Sequence, residues 1–80
     1  MSQQSGDVRA LIEQIAKALV DEPDQVSVSL VEGDVLELKV APNDVGKMIG
    51  AKGRVARALR ALISAAGIRL QKRFTLEILE

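Results

Sequence analysis

The stretch that decides the fold is VGKMIGAKGRVARALRALI, residues 45–63. Gly50 and Gly53 stand three positions apart around Lys52, and a helical pattern follows them directly. Glycine accepts backbone conformations that end one helix and begin another. The stretch therefore predicts a short helix, a tight turn without bulky side chains, and a longer second helix.

The helix after the turn is predicted to be amphipathic. Its apolar residues recur with helical spacing: Val55, Ala58, Leu59, Leu62, Ile63 and Ala66. Arg54, Arg57 and Arg60 fall on one arc of about 120°, largely opposite that stripe. Gly67 is predicted to end the helix. The basic side of this helix therefore cannot also be its main core side.

The flanking segments complete the fold. An amphipathic helix runs from Val8 to Val20, two alternating strands surround the turn at residues 32–34, and a third alternating segment carries Phe74, Leu76 and Ile78 inward. The order α-β-β-α-α-β predicts an α+β two-layer sandwich, with three helices on one face of a three-stranded sheet. Residues 7–80 form a single domain, and residues 1–6 are predicted to be a frayed tail.

The charges are separated along a chain whose net charge is zero. Residues 1–44 contain nine acidic and three basic residues, whereas residues 45–73 contain eight basic residues and no acid. Exposed charges more than about 10 Å apart are largely screened in ordinary salt. A ligand near the second segment would therefore meet a positive surface, although a solvated helix face is the plainer interpretation.

Several functions are made improbable by composition. The chain has no histidine and no cysteine, so zinc sites, thiol nucleophiles and disulfides are not expected, and no cofactor is predicted. The basic segment holds no carboxylate that could act as a general base, so an enzyme is not expected. No signal peptide or membrane-spanning run is recognisable, which predicts a cytoplasmic protein.

The glycine turn fits neither common nucleotide-binding motif. A P-loop requires GxxxxGK followed by Ser or Thr, and a dinucleotide fingerprint requires GxGxxG after a strand. A turn with Gly50 and Gly53 instead lets an extended ligand approach the main chain, with Lys52 and Arg54 supplying positive charge. This combination suits a phosphodiester, although two glycines also occur in ordinary turns between helices.

The chain resembles the KH domain in its GxxG turn, in the basic helix that follows the turn, and in its KRFTLEI tail. It resembles more closely the small single-domain bacterial KH RNA-binding proteins of the KhpA family, which have the type II element order. The resemblance implies single-stranded RNA binding, with the GxxG loop on the sugar-phosphate backbone. The residues that it implies for RNA binding are Lys47, Ile49, Gly50, Ala51, Lys52, Gly53, Arg54 and Arg57.

Other expectations attach to the same resemblance. Ile49, Val55 and either Leu38 or Val40 would line a groove for bases, or would equally serve the core. Ala51 departs from relatives that often carry a second basic residue in the loop. Phe74 is the only aromatic residue and is predicted to be a core side chain, so base stacking should be limited.

The resemblance implies binding partners. A single RNA site with few phosphate contacts should also bind weakly, so useful affinity would need a second site. The family implies an RNA chaperone or post-transcriptional regulator that forms a homodimer, or a heterodimer with a KhpB/Jag/EloR-type KH-containing protein, in pathways of cell elongation and division. The alanine-rich second helix could supply the contact. The alternatives are a protein-interaction subunit in which RNA binding is secondary, and a binder of double-stranded DNA.

Overall fold

The computed structural model describes residues 5–79. Its helices are α1 (Ser5–Leu19), α2 (Val45–Ile49) and α3 (Arg54–Leu70), and its strands are β1 (Ser27–Val31), β2 (Val35–Lys39) and β3 (Thr75–Ile78). Single 3₁₀ turns cover Pro23–Gln25, Pro42–Asp44 and Ala51–Gly53. The tail predicted for residues 1–6 lies mainly outside the described residues, and Ser5 and Gly6 are the first two residues of α1.

The sheet has the order β1-β2-β3. β1 and β2 form an antiparallel hairpin in which Val28 pairs with Leu38. β3 lies parallel to β2, with Leu76 beside Leu36, and α2 and α3 form the connection between these two strands. The α-β-β-α-α-β order and the mixed sheet confirm the fold class expected from the sequence.

One face of the sheet is buried and the other is open. Leu36, Leu38 and Leu76 are 0%, 0% and 2% exposed, whereas Ser29 and Glu77 on the opposite face are exposed. This alternation follows from the two-residue period of a strand. The helices contribute Ile12, Ala16, Met48, Leu59 and Ile63 to the same core.

Helix α3 is longer than the sequence indicated. It continues through Gly67 to Leu70, and Gln71 then ends it in the left-handed conformation, with a φ of 57°. The Lys72 N–H donates to the Gly67 carbonyl at 2.8 Å, which satisfies a carbonyl at the end of the helix. The prediction that Gly67 ends α3 is therefore wrong, and Phe74 lies in an irregular segment, residues 72–74, before β3 begins at Thr75.

The buried stripe of α3 also differs from the prediction. Ala56, Leu59, Ile63 and Gly67 are buried, whereas Ala58 is exposed and Leu62 is 47% exposed. The core lies on one side of the helix, so only part of its apolar surface finds a partner within the chain. Leu62 and the exposed residues Ala58 and Ala61 therefore form an apolar surface that faces solvent.

Among residues 5–79 no helix is sufficiently long and apolar to cross a membrane.

Candidate nucleic-acid interface

The turn between α2 and α3 has a backbone that depends on its two glycines. Gly50 has φ 78° and ψ 167°, and Gly53 has φ 73° and ψ 17°. A Cβ atom on Gly50 would lie 2.5 Å from Val55 Cγ2 and 2.8 Å from the Val55 backbone nitrogen. Gly50 is therefore needed for both its backbone angles and its close approach to the first turn of α3.

Gly53 is favoured by its backbone angles rather than by a lack of space. Among residues 5–79, a Cβ atom there would meet only Arg57 Nη1, at 3.5 Å. The surface above Gly53 is consequently open to a ligand that approaches the main chain.

The 3₁₀ turn at Ala51–Gly53 begins with backbone N–H donors. Its first hydrogen bond runs from the Gly53 N–H to the Gly50 carbonyl, at 3.0 Å. The N–H groups of Ala51 and Lys52 come before this bond, and the first N–H groups of a helix have no acceptor within it. Adjacent donors of this kind suit an anion.

Arg57 supports the turn from within α3. Its Nη1 donates to the Lys52 carbonyl at 2.8 Å, which ties the exposed tip of the turn to the helix behind it. Lys52 itself has a positive φ of 56°, an uncommon conformation for a residue with a Cβ atom. The guanidinium of Arg57 therefore holds the loop in shape and adds positive charge beside it.

Positive charge next to the turn comes from Lys52 and Arg54. Both are exposed, and within residues 5–79 neither side chain has a recorded hydrogen bond or ion pair. Ala51 is exposed as well and carries no charge. The structure thus brings residues 50–54 together as one cationic surface, in which Ala51, Lys52 and Arg54 are exposed and the two glycines are half-buried.

Lys47 is differently placed from the other predicted cations. Its Nζ lies 2.9 Å from Asp21 Oδ2 and 3.3 Å from Asp44 Oδ1. The hydrogen bond to Asp21, then that to Asp44, raises the pKa of Lys47 above its ordinary value of 10.5, so the ammonium stays charged. Two carboxylates balance this charge, so Lys47 adds little net positive charge next to the turn.

Asp44 is a buried carboxylate that joins α2 to the segment after α1. Its side chain is fully buried and accepts hydrogen bonds from the backbone N–H groups of Asp21 and Glu22, at 3.2 and 3.1 Å. Although it directly precedes α2, it makes no side-chain capping hydrogen bond to that helix. Asp44 and Lys47 together fix the short helix that carries the glycine turn.

Asp44 makes the stability depend on pH. Burial alone raises its pKa, but the N–H groups of Asp21 and Glu22 and the ammonium of Lys47 outweigh burial, so the pKa of Asp44 lies below its ordinary value of 3.8. A lowered pKa in the folded chain means that the carboxylate stabilises the fold above the unfolded pKa. That contribution is lost as the pH falls through the lower, folded pKa.

An Asp44→Asn variant should therefore melt at a lower temperature than the parent at neutral pH, by on the order of 10 °C, because a charged acceptor is lost. The difference should shrink as the pH is lowered below 3.8 and through the lower pKa of the folded parent, where the parent also loses the carboxylate. Thermal unfolding followed by circular dichroism across this pH range measures it. Asp24→Asn, at an exposed acid, is the matched control, and a difference between Asp44→Asn and parent that is independent of pH would contradict the assignment.

Helix α3, which follows the glycine turn, lies beside β3, one of the two edge strands of the sheet. The Thr75 N–H donates to the Asp34 carbonyl in the turn before β2, and the Leu79 N–H donates to the Leu38 carbonyl in β2. Leu76 and Ile78 alternate with such residues, so their backbone groups point away from β2. Arg60 Nη2 donates to the outward carbonyl of Leu76 at 3.3 Å. The edge of β3 and the basic flank of α3 therefore lie side by side.

Two of the four possible groove residues lie next to the glycine turn, and the other two belong to the core. Ile49, directly before the turn, is 38% exposed, and Val55 is half-buried against Gly50. Leu38 and Val40 are 0% and 5% exposed, so they serve the core, the alternative that the sequence left open. Ile49 is thus the exposed apolar side chain beside the cationic turn.

The chain has the element order α-β-β-α-α-β, a GxxG turn between its last two helices, and the second of those helices beside an edge of a three-stranded sheet. This is the arrangement of a type II KH domain. The profile of the family described as KhpA/KhpB, KH domain, matches residues 9–78. The chain belongs to this family.

Individual relatives agree with the family match. A Clostridium acetobutylicum protein named RNA-binding protein KhpA is 52% identical over 75 residues, covering 90% of this chain and 100% of that protein. Proteins of the same name from Aquifex aeolicus and Borreliella burgdorferi are 47% and 46% identical, and the matches cover 91% and 94% of this chain and 96% and 95% of theirs. The similarity thus extends over nearly the full length of each protein.

Proposed function

We propose that this protein is a non-enzymatic binder of single-stranded RNA that holds the sugar-phosphate backbone at Gly50–Gly53. The observation that carries the proposal is the exposed turn itself, where two backbone donors, an open surface at Gly53 and the side chains of Lys52 and Arg54 meet. Its relatives are named RNA-binding proteins, which supports the same ligand. The cellular role that fits is an RNA chaperone or post-transcriptional regulator in the cytoplasm.

The turn favours an unpaired strand over a duplex. Gly53 leaves an approach to the main chain open, and the exposed Ile49 next to the turn is apolar. An unpaired strand can present its backbone to the turn while it lays a base on an apolar side chain. A duplex keeps its bases stacked inside, so only its phosphates could reach this site.

The salt dependence of binding tests the proposal. Fluorescence anisotropy with a labelled oligoribonucleotide of about ten nucleotides should give a log–log slope of affinity against salt of about −2 to −3.5, from about three to five phosphate contacts. Lys52→Ala should make the slope less steep by about 0.7, the contribution of one contact on a single strand. Arg69→Ala, at an exposed cation about 22 Å along α3 from Arg54, is the control and should leave the slope unchanged.

Two outcomes would overturn RNA binding at the turn. One is a parent protein that retains no unpaired RNA at low salt. The other is an equal loss in the Lys52 and Arg69 variants, which would indicate general attraction to a charged surface. Tighter binding of duplex DNA than of single-stranded RNA would favour the DNA-binding alternative.

A second role, docking of a partner, is favoured by the outward face of α3. Five exposed apolar residues lie on it: Ala58, Ala61, Leu62, Ala65 and Ile68. Leu62 and Ile68 are 47% and 77% exposed, and the alanines would let a second helix approach closely. We infer that this face pairs with a second copy of the chain or with the KH domain of a larger KhpB/Jag/EloR-type protein, and effects on cell shape would follow from the larger partner.

Pairing would also strengthen RNA binding. A single site with few phosphate contacts is expected in the range of about 10⁻⁴ to 10⁻⁶ M, and a second linked site raises avidity by about 10² to 10⁴. Leu62→Glu should convert a dimer to a monomer in sedimentation velocity and weaken the retention of long RNA. If the parent protein remains monomeric at high concentration, self-association through this face is excluded. The larger KH protein is then the partner to test.

A further inference from the structure

A cleft lies between α3 and the beginning of β3, away from the glycine turn. It encloses about 420 Å³ and is lined by Ser64, Lys72, Arg73, Phe74 and Thr75. Its lining contains two adjacent cations, two hydroxyl groups and the only aromatic ring of the chain. Of the side chains in residues 7–79, none that lines the cleft is acidic.

The cleft is built by the close approach of the chain to Gly67. A Cβ atom on this buried glycine would collide with the Lys72 carbonyl oxygen and would lie 3.4 Å from the Phe74 ring. The Lys72 N–H also donates to the Gly67 carbonyl at 2.8 Å. These contacts hold the segment after α3 against the helix, so the cleft has fixed walls.

Phe74 occupies a different position from the one predicted. It packs against the core but is only half-buried, and its side chain contributes to the wall of the cleft. An aromatic ring accepts the face of any nucleobase, and one such contact changes affinity by about tenfold or more. Lys72 and Arg73, directly before it, are placed to attract the phosphate of the same nucleotide.

The cleft is continuous with the basic flank of α3. Arg57, Arg60 and Ser64 follow one another at i, i+3 and i+7, so they lie on one side of the helix. Arg60 bridges from this side to Leu76 on the edge of β3. From Arg54 to Ser64 the helix advances by about 15 Å. The glycine turn and the cleft are therefore the two ends of one basic path.

We propose that this cleft binds one further nucleotide of the RNA strand held at the glycine turn, with its base against Phe74 and its phosphate near Arg73. The proposal rests on the proposed function, because the strand must first be held at Gly50–Gly53. The chemistry indicates a nucleotide rather than a simple anion, because an aromatic wall adjoins the cations. The cleft would lengthen the bound strand beyond the approximately four nucleotides that a GxxG loop clamps.

The experiment compares two RNA lengths in the full chain, about four and about ten nucleotides. Arg73→Ala should weaken binding of the long oligoribonucleotide by about threefold to tenfold and make its salt slope less steep by about 0.7. Binding of the short oligoribonucleotide should stay within about twofold of the parent. Phe74→Leu, which keeps an apolar side chain for packing, should likewise weaken only the long RNA, by about tenfold. Arg69→Ala, on another side of α3, is the control for general charge.

The outcomes separate this proposal from the proposed function. Equal losses for both lengths, or no loss for either, would overturn the cleft while leaving the glycine turn intact. A loss in Arg69→Ala as large as that in Arg73→Ala would also overturn it. Failure of the parent to bind either length would overturn the proposed function itself. Should Phe74→Leu unfold, photo-crosslinking of the parent decides: a crosslink to Phe74 from the long RNA alone supports the cleft, and its absence opposes it.

Discussion

A Gly53→Asp variant should remain folded and lose single-stranded RNA binding by about 100-fold or more, because like charges brought together cost several kcal/mol. The new side chain has space, with only Arg57 Nη1 near its Cβ position at 3.5 Å. Aspartate also tolerates the left-handed conformation of Gly53 better than most residues. Its carboxylate would stand where the proposal places an RNA phosphate, so charge repulsion should remove binding without removing the fold.

The matched variant is Gly53→Asn, which has nearly the same shape and no charge. It should bind RNA more weakly than the parent but much better than Gly53→Asp. Anisotropy measures binding, and circular dichroism and sedimentation verify that folding and self-association are unchanged. If Gly53→Asp keeps its RNA affinity, the turn does not carry the phosphate backbone. If biological activity survives the loss of RNA binding, partner docking becomes the leading function.

Gly50→Ala should have the largest effect on stability, about 3 kcal/mol, or roughly 15 °C in melting temperature for a domain of this size. Two costs combine at this position. The φ of 78° is unfavourable for alanine, and the new methyl group would lie 2.5 Å from Val55 Cγ2 in the half-buried first turn of α3. Either the backbone of the turn shifts or α3 moves away, so RNA binding should decrease as well.

Gly46→Ala is the control for this effect. Gly46 lies inside α2, has no atom within 4 Å of its Cβ position, and has no positive φ. Alanine is favoured over glycine in a helix by roughly 0.5 to 1 kcal/mol, so this variant should be as stable as the parent or more so. Thermal and urea unfolding compare the two alanines. Similar stability of Gly46→Ala and Gly50→Ala would contradict the close contact with Val55.

The element order could be predicted from the sequence because each element has a clear local signal. Alternation marked β1 and β2, helical spacing marked α1 and α3, and the glycine pair marked the turn. The end of α3 was missed because Gly67 serves a close contact with Lys72 and Phe74 rather than a helix stop. A tertiary contact determines the role of this glycine, and the spacing of apolar residues in a helix does not indicate such a contact.

The candidate site was predictable in part for the same reason. Glycine spacing and clustered cations indicated residues 50–54, but not the pairing of Lys47 with Asp21, which stands 26 residues earlier. The burial of Asp44 was equally hidden, although its position three residues before Lys47 was a weak signal. The Phe74 cleft was missed because alternation placed the ring in the core, where only part of it lies.

The most direct test is a nuclear magnetic resonance titration of the isotopically labelled full chain with an unlabelled single-stranded oligoribonucleotide. The amide signals of Gly50–Arg54 should shift most, with smaller changes along α3 toward Arg60, and the shifts should diminish as salt is added. Amides on the open face of the sheet, such as those of Ser29 and Glu37, should stay in place. Largest shifts on that face or on α1, with the turn unaffected, would contradict RNA binding at the glycine turn.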